Sequence, residues 1–281
     1  MKSKEELIDD LLTLAFAEDV GDGDHTTLST IPADEIGRQR LIIKEEGILA
    51  GVETARMVFK KFDPELKMTV YINDGAHVKP GDVAFVVEGR VQSLLQTERV
   101  MLNIMQRMSG IATTTARYQK ELEGLRTKVL DTRKTTPGMR MLEKEAVKIG
   151  GGCNHRIGLF DMILIKDNHV DFAGGIPQAV SAARKYCAET GRDLKIELEV
   201  RNTEEILQAL EAGVDRIMLD NFTPERTREA VKLINGRCEI ESSGGITLET
   251  LRAYGECGVD FISVGALTHS VKGLDMSFKA C

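Results

Sequence analysis

Residues 195–220 read KIELEVRNTEEILQALEAGVDRIMLD, a strand-like segment, a helical segment and a second strand-like segment. The two apolar segments are KIELEV (195–200) and RIMLD (216–220), and EIESSGG (239–245) and FISVGA (261–266) follow them. The first residues of these four segments are 21 to 23 residues apart, a natural length for one βα unit. Because strands that alternate with helices form parallel sheets, this stretch predicts an α/β fold with a parallel sheet.

Two earlier segments extend the same pattern toward the N-terminus, VLDT (129–132) and MILIK (162–166). No Gly-x-Gly-x-x-Gly motif follows the first of these strands, so a dinucleotide-binding Rossmann fold is disfavoured. The six segments together predict a closed or nearly closed βα barrel of about six strands.

The part of the chain before the barrel has a different pattern of predicted helices and strands. A capping box at Ser3–Glu6 begins a helix, residues 18–27 read as a loop, and residues 38–91 are mostly strand-like, interrupted by a helix at about 54–62. A helical stretch follows from about 93 to 123, and Gly110 within it predicts close packing or a break. We predict an α+β domain over residues 1–115 and the barrel over 116–269. The strand-like tail, within 270–281, is expected to return to the first domain.

Composition and charge restrict the kind of ligand. The net charge of −7 makes broad nucleic-acid binding unlikely, and no apolar run approaches the roughly 18 residues that span a membrane. With no signal-peptide pattern and five scattered cysteines, we expect a cytoplasmic protein without a disulfide framework or thiolate zinc site. Residues 133–169 nevertheless carry seven Lys or Arg and four Asp or Glu. This positive island indicates a site for a small anion, although one basic helix face would also account for it.

Polar residues or glycines follow all six predicted barrel strands, where βα barrels build their active sites. In chain order these ends are Thr132-Arg133-Lys134, Lys166-Asp167-Asn168, Glu197 with Glu199, Asp220-Asn221, Ser242-Ser243-Gly244-Gly245 and Gly265-Ala266. Cations therefore end the first two strands, carboxylates the middle two, and small residues with open backbone N–H groups the last two.

This order has a chemical interpretation. Ser243-Gly244-Gly245 and Gly265-Ala266 follow the last two strands, where barrels commonly bind phosphate, although glycine after a strand is also an ordinary turn residue. Glu199 and Asp220 suit ribose hydroxyls, Mg²⁺ or a developing positive charge, and they also suit salt bridges to Lys134 and Lys166. Glu197 and Glu199 are expected to face the barrel interior together, because strand side chains alternate.

A second group of candidate residues lies between the first two barrel strands. His155 and Arg156 come soon after Gly150-Gly151-Gly152 and lie inside the positive island. Since arginine binds carboxylates bidentately, Arg133 and Arg156 predict one or two carboxylates on the ligand, with His155 as a third donor.

These motifs in their order resemble the quinolinate phosphoribosyltransferase family. The resemblance runs from about residue 18 to the C-terminus and is most specific in DTRKTTPG (131–138) and NHRIGLFDMILIKDNH (154–169). It implies an N-terminal α+β sandwich domain followed by a roughly six-stranded open βα barrel. It also implies phosphoribosyl transfer from phosphoribosyl pyrophosphate to quinolinate with Mg²⁺, giving nicotinate mononucleotide, pyrophosphate and carbon dioxide, as in de novo NAD biosynthesis.

The resemblance further implies roles for residues of this chain. Arg99, Arg133, His155, Arg156 and Lys166, with Thr132 beside them, resemble the quinolinate-binding set. Lys134, Lys166, Glu199 and Asp220 resemble the residues around phosphoribosyl pyrophosphate and are the candidate catalytic residues, with Glu199 and Asp220 near Mg²⁺, directly or indirectly. Ser243, Gly244, Gly245, Gly265 and Ala266 resemble the cradle of the 5′-phosphate. Family members are homodimers or larger, and the residue matching Arg99 reaches the partner's site.

Three rival hypotheses remain at this stage. Lys134 or Lys166 would form a Schiff base with a carbonyl substrate in an aldolase-like barrel, which borohydride trapping would detect. A non-enzymatic sensor of a phosphate ligand would not need the full set of cations and carboxylates. A paralogue of the same fold would act on another pyridine or on a molybdenum-linked substrate.

Overall fold

The computed structural model describes residues 2–281, which form two compact units. The first unit contains the chain up to Ala116 together with Lys134–Gly151 and Ala266–Cys281, and the second contains Arg117–Arg133 and Gly152–Gly265.

Helices and strands are numbered separately along the chain. The helices are α1 Lys4–Asp19, α2 His25–Thr30, α3 Val52–Phe62, α4 Val91–Glu121, α5 Arg140–Ile149, α6 Asp167–Ala173, α7 Ile176–Thr190, α8 Thr203–Ala212, α9 Pro224–Ile234, α10 Leu248–Gly255 and α11 Ala266–His269. The strands are β1 Ile36–Ile43, β2 Gly47–Ile48, β3 Lys67–Val70, β4 His77–Val78, β5 Val83–Arg90, β6 Lys128–Leu130, β7 Ile163–Ile165, β8 Ile196–Val200, β9 Arg216–Asp220, β10 Glu239–Ser243, β11 Phe261–Ser263 and β12 Met276–Ala280.

The first unit is built on an antiparallel sheet with strand order β12-β1-β5-β3, beside which β2 and β4 form a two-stranded ribbon. Phe59 of α3, Phe85 of β5 and Phe278 of β12 pack together with ring centroids 5.9–6.2 Å apart, so α3 covers this sheet. β12 is the C-terminal tail, and its pairing with β1 ties the chain end to the first unit.

The N-terminal helix begins as the capping box predicts. The Ser3 side chain accepts the backbone N–H of Glu6, and the Glu6 side chain accepts the backbone N–H of Ser3. The prediction of a loop over residues 18–27 is wrong at both ends, because α1 continues to Asp19 and α2 begins at His25. The Asp24 carboxylate accepts the backbone N–H of Thr27 and so starts the short second helix.

Helix α4 passes Gly110 without a break. A Cβ atom built on Gly110 would lie 2.2 Å from the backbone oxygen of Lys272, which belongs to the segment before β12. The glycine therefore permits two backbones to touch, the close packing that the sequence predicts. The unit boundary after Ala116 lies within this helix.

The second unit is an all-parallel sheet with strand order β6-β11-β10-β9-β8-β7. β6 and β7 are its end strands and do not pair with one another in the described part of the chain, while Cys153 forms a parallel bridge with Leu130 at the outer edge of β6. Helices follow β7, β8, β9 and β10, as in a βα barrel that remains open. The predicted fold class is confirmed.

The first break between the compact units, after Ala116, lies within one residue of the predicted boundary, but two later segments also belong to the first unit. Lys134–Gly151, which includes α5, and Ala266–His269 belong to the first unit. α5 buries Leu142, Ala146 and Val147, and a Cβ atom on Gly150 would lie 2.4 Å from the Ala112 backbone oxygen of α4. The segment between two barrel strands therefore packs with the helices of the first unit.

Strand β8 shows how the barrel sheet sorts its side chains. All of Ile196, Glu197, Leu198 and Val200 are buried, and Glu197 and Glu199 lie on one face because strand side chains alternate. We call this the inner face of the sheet.

No helix among residues 2–281 combines the length and apolarity needed to cross a membrane.

Candidate functional site

Lys166 and Glu199 form an ion pair at the carboxyl ends of the barrel strands. The register that pairs Ile165 of β7 with Leu198 of β8 brings the following residues side by side. Lys166 Nζ lies 2.6 Å from Glu199 Oε2, the lysine side chain is 47% exposed and the glutamate 10%. The predicted lysine–carboxylate pairing is present here, with the charged end of Lys166 at the surface where a ligand can meet it.

The ends of β9 and β10 form a tight turn around two glycines. Asp220 pairs with Ser243, and the Asn221 backbone N–H donates to the Ser243 carbonyl at 2.9 Å. Gly244 has a φ of 100°, and a Cβ atom on it would lie 2.2 Å from Asn221 Oδ1. Glycine is therefore required at this position both by its positive φ and by the neighbouring asparagine.

Arg133 and Arg156 lie near one another in the second unit. Burial first, and then the neighbouring Arg133 guanidinium, lower the pKa of Arg156. Their approach follows from backbone bonds beside β6: Cys153 N–H donates to Val129, and Asp131 N–H donates to the Cys153 carbonyl. Two neighbouring guanidinium groups are chemically suited to a multiply charged anion.

His155 lies behind this pair, with its ring on the inner face of the sheet. Its Nε2 is 3.0 Å from Glu197 Oε2 and 3.5 Å from Glu241 Oε2, and its Nδ1 accepts the backbone N–H of Arg156 at 2.7 Å. The ring therefore contacts two buried acids. Its part as a third donor to the ligand stays a prediction.

The inner face also carries a buried acid pair, Glu197 and Glu241, of which the sequence pattern predicted only Glu197. Burial, and next the charge of Glu197, raise the pKa of Glu241 to about 8, and burial also raises the pKa of Glu197. A proton on Glu241 supplies a hydrogen-bond donor to Glu197, whose Oε2 also faces His155 Nε2 at 3.0 Å. Glu241 is thus mainly a neutral acid at pH 7.

The Arg216 guanidinium contacts this acid pair. Arg216 Nη1 donates to Glu241 Oε2 at 3.2 Å, Nη2 donates to Glu239 Oε2 at 3.0 Å, and the guanidinium carbon lies 4.4 Å from the Phe261 ring centre. The alternation in KIELEV and EIESS places acids two residues apart within buried strands, and RIMLD begins with Arg216; this pattern is the sequence signal that would have found this layer.

Two sets of residues offer metal-binding atoms. His155, Glu197 and Glu241 have ligand-type atoms within 4.8 Å of one another, but the Arg216 guanidinium already supplies a cation there. Glu199 and Asp220 instead stand at the strand ends, where Lys166 contacts Glu199 Oε2 and the Asn221 amide contacts Asp220 Oδ2. Their other carboxylate oxygens are hard donors of the type that Mg²⁺ prefers, so this pair fits the predicted ion.

The remaining predicted residues are distributed between the units. Thr132 and Gly265 belong to the second unit, whereas Arg99, Lys134 and Ala266 belong to the first. Arg99 is exposed on α4, and the Lys134 backbone oxygen accepts the Thr268 hydroxyl at 2.8 Å. The structure thus brings together Lys166 with Glu199, Arg133 with Arg156, and Asp220 with Ser243 and Gly244.

Comparisons with known proteins identify the family to which this chain belongs. Residues 24–109 match the family model of the quinolinate phosphoribosyl transferase N-terminal domain, and residues 111–279 match that of the C-terminal domain. Quinolinate phosphoribosyltransferase [decarboxylating] 1b of Nicotiana tabacum is 45% identical over 96% of this chain and 81% of its own length.

Similarity extends to a bacterial relative and to a solved structure. The probable nicotinate-nucleotide pyrophosphorylase [carboxylating] of Bacillus subtilis is 44% identical over 95% of this chain and 91% of its own length. The crystal structure of NadC from Streptococcus pyogenes is 42% identical, covers 97% of this chain and 95% of its own, and superposes with a TM-score of 0.92.

Proposed function

Because this chain belongs to the quinolinate phosphoribosyltransferase family, we propose that it transfers the phosphoribosyl group of phosphoribosyl pyrophosphate to quinolinate. The products are nicotinate mononucleotide, pyrophosphate and carbon dioxide, a step of de novo NAD biosynthesis. The observation that carries the choice of substrate is the adjacency of Arg133 and Arg156, since two neighbouring guanidinium groups suit a ligand with two neighbouring carboxylates.

In this proposal the cations orient quinolinate. Arg133 and Arg156 bind its carboxylates, with Thr132, His155 and Lys166 as further predicted contacts. Quinolinate is a dianion, and the positive residues concentrate it at the strand ends before reaction. The ring nitrogen, which is the nucleophile, is then held against the sugar, so the main contribution of the protein is positioning.

The second substrate is assigned to the remaining strand ends. Backbone N–H groups of Ser243-Gly244-Gly245 and Gly265-Ala266 bind the 5′-phosphate, and the closeness of Asn221 to Gly244 shows why no side chain can stand there. Glu199 and Asp220 face the ribose and stabilise positive charge that develops at C1 as its bond to pyrophosphate breaks. Lys134 and Lys166 stabilise the negative charge on departing pyrophosphate.

Mg²⁺ is the proposed cofactor, with Glu199 and Asp220 holding it directly or through water. When bound, the ion neutralises pyrophosphate charge. Carbon dioxide is lost without a further cofactor. Once the ring nitrogen is bonded to ribose and cationic, it stabilises the electron pair that the broken carbon–carboxylate bond leaves on the adjacent ring carbon, and that carbon then takes up a proton.

We further propose that the protein acts in the cytoplasm as a homodimer or larger oligomer, with Arg99 contributed to the partner's site. The exposed position of Arg99 on α4 supports this assignment, because its guanidinium is accessible to a second copy. The net charge of −7 agrees with small-molecule substrates rather than nucleic acid.

The deciding experiment incubates purified protein with phosphoribosyl pyrophosphate and Mg²⁺ plus either quinolinate or nicotinate, and follows the nucleotide and released carbon dioxide. We expect nicotinate mononucleotide and an equal amount of carbon dioxide from quinolinate alone. Product from nicotinate alone would overturn the dicarboxylate assignment while keeping the phosphate site. Absence of product from both would favour the paralogue or sensor hypothesis, and omission of Mg²⁺ tests the cofactor.

A further inference from the structure

An ion pair in the first unit joins α4 to α5, with a buried glutamate and an arginine whose side chain is 24% exposed. Glu143 of α5 is 0% exposed, and Arg107 of α4 donates to its Oε1 from Nε at 3.0 Å and from Nη2 at 2.9 Å. Burying two charges is unfavourable unless they are paired and their remaining hydrogen-bonding atoms are satisfied. The other partners of these two groups are therefore informative.

Those partners lie in the segment that follows Lys134. Glu143 Oε2 accepts the backbone N–H of Thr136 at 3.2 Å, and Arg107 Nη2 lies 3.3 Å from the Thr136 hydroxyl. Both charged groups thus hold the same residue, two positions after the lysine that is assigned to pyrophosphate.

The same guanidinium also holds α11. Arg107 Nη2 donates to the backbone oxygen of Thr268 at 2.5 Å, and the Thr268 hydroxyl donates to the Lys134 backbone oxygen at 2.8 Å. Thr268 is fully buried and belongs to the short helix α11. The first residue of this helix, Ala266, is part of the predicted phosphate cradle. A continuous set of hydrogen bonds therefore links the main chain at Lys134 and Thr136 to α11.

We propose that Glu143, acting through Arg107 and Thr268, is a positioning residue for the phosphoribosyl pyrophosphate site. It fixes the main chain that carries Lys134 relative to the helix that carries Ala266, so that one lysine and one phosphate-binding backbone have a set separation before the substrate arrives. This inference rests on the proposed function of Lys134 and Ala266. Binding groups held in advance by a second layer of contacts lose less entropy and bind more tightly.

The alternative is that the ion pair only stabilises the first unit. The two explanations differ in which kinetic parameter changes. A purely structural role predicts a lower melting temperature with unchanged affinity of the folded enzyme, whereas positioning predicts a selective effect on phosphoribosyl pyrophosphate.

Two substitutions disturb the network in independent ways. Glu143→Gln keeps the side-chain size, but its amide presents a donor either to Arg107 or to the Thr136 N–H, so one contact is lost in either orientation. Thr268→Val keeps the shape of the side chain and removes only the hydroxyl that bonds the Lys134 backbone oxygen. Thr268→Val keeps the inference testable if Glu143→Gln does not fold.

A matched control exists within the same unit. Asp63 is 1% exposed and is held by Arg90 at 2.9 Å and by the Ser93 hydroxyl at 2.6 Å, but none of these residues belongs to the candidate site. Asp63→Asn therefore removes the charge of a comparably buried carboxylate without touching Lys134 or α11.

The experiment measures melting temperature, calorimetric affinity for each substrate alone, and steady-state kinetics with Mg²⁺. For Glu143→Gln we expect kcat/KM for phosphoribosyl pyrophosphate to fall on the order of 10- to 100-fold, because misplacement of a binding group has effects of this size. We expect a smaller fall of the same kind for Thr268→Val, and quinolinate affinity and Asp63→Asn kinetics within about twofold of the wild type.

Three results would overturn the inference: wild-type phosphoribosyl pyrophosphate kinetics in both network variants, an equal loss of quinolinate affinity, or the same kinetic loss in Asp63→Asn. Failure of the proposed function has a different signature, because the wild-type protein itself would then give no product. In that case, calorimetry with phosphoribosyl pyrophosphate decides the matter. Wild-type affinity in Glu143→Gln and Thr268→Val, or no binding by the wild type, would refute the positioning role.

Discussion

Glu241 shows how a single residue gains its properties from burial. Its position on the inner face of the barrel sheet, beside Glu197, raises its pKa to about 8 from an ordinary value of 4.5. Between these pH values the folded protein keeps a proton that the unfolded chain releases. The folded state is therefore favoured at low pH, and this contribution is lost as the pH rises toward 8.

The resulting prediction concerns stability against pH. In the wild type we expect the free energy of unfolding to fall between pH 5 and pH 8 with a slope from this group approaching about 1.4 kcal/mol per pH unit. Glu241→Gln keeps a donor for Glu197 at every pH and should flatten the slope, as measured by urea denaturation across that range. Glu204→Gln, an exposed acid of α8, serves as control. Equal slopes in both variants would contradict the assigned protonation.

Gly244 provides a second test at a single residue. Gly244→Ala places a Cβ atom 2.2 Å from Asn221 Oδ1 at a φ of 100°, so the loop must move away from Asp220. We expect the KM for phosphoribosyl pyrophosphate to rise on the order of 100-fold, as is usual when a positioned binding group is displaced.

The control for this substitution separates strain from contact. Gly236 also has a positive φ, 72°, but a Cβ atom there meets nothing within 4 Å. Gly236→Ala should therefore cost about 1 kcal/mol of stability from backbone strain alone and leave the KM unchanged. A normal KM in Gly244→Ala would remove this loop from the phosphate site.

At the scale of elements, α4 shows packing prevailing over helix propensity. Alanine in place of a mid-helix glycine normally stabilises a helix by about 1 kcal/mol. At Gly110 the added Cβ atom would lie 2.2 Å from the Lys272 backbone oxygen, so α4 and the segment before β12 must separate. The same contact explains why a long amphipathic helix contains glycine at a buried position.

We predict that Gly110→Ala lowers the free energy of unfolding by about 1–3 kcal/mol, the range for overpacked sites. Thermal or urea denaturation measures the change. Gly273→Ala is the matched control, because its Cβ atom would lie 3.4 Å from Gln106 of the same helix, an ordinary contact distance. Stabilisation by Gly110→Ala would show that propensity outweighs this contact.

Element boundaries also show the limits of local patterns. The six barrel strands were predictable because each apolar run ends on polar residues or glycine, and the last four recur every 21 to 23 residues. That α5 belongs to the first unit was not predictable, because this helix follows β6 in the chain. It packs in the first unit, where Gly150 at its C-terminal end lies against Ala112 of α4. Such packing depends on residues far apart in sequence.

At the scale of the whole molecule, the proposed contribution of Arg99 to the partner's site makes a quantitative prediction. Arg99→Ala and Lys166→Ala should each abolish turnover when assayed alone. Mixed by denaturation and refolding, they should recover activity, because each mixed dimer contains one site with both defects and one with neither. Random reassortment in a two-fold dimer places about a quarter of all sites in the intact class.

The steady-state rate of the mixture, relative to wild type refolded in the same way, measures this fraction. A mixture of Lys166→Ala with Glu199→Ala is the control: both residues lie at neighbouring strand ends of one unit, 2.6 Å apart, so every site keeps at least one defect and no activity should return. No recovery in the first mixture would place Arg99 outside the partner's site.

The sequence by itself determined the barrel-like set of six parallel strands and the kind of residue at each strand end, whereas the local pattern predicted a closed or nearly closed barrel and did not specify that it is open. These features repeat locally, through strand periodicity, turn glycines and the order of charges from Arg133 to Gly265. Only the tertiary structure decided that His155 turns toward Glu197 and Glu241, that Arg107 and Glu143 hold the main chain near Lys134, and that residues 134–151 join the first unit. The physical reason is that burial, shifted pKa values and ion pairs depend on distances between residues remote in sequence, which no local pattern specifies.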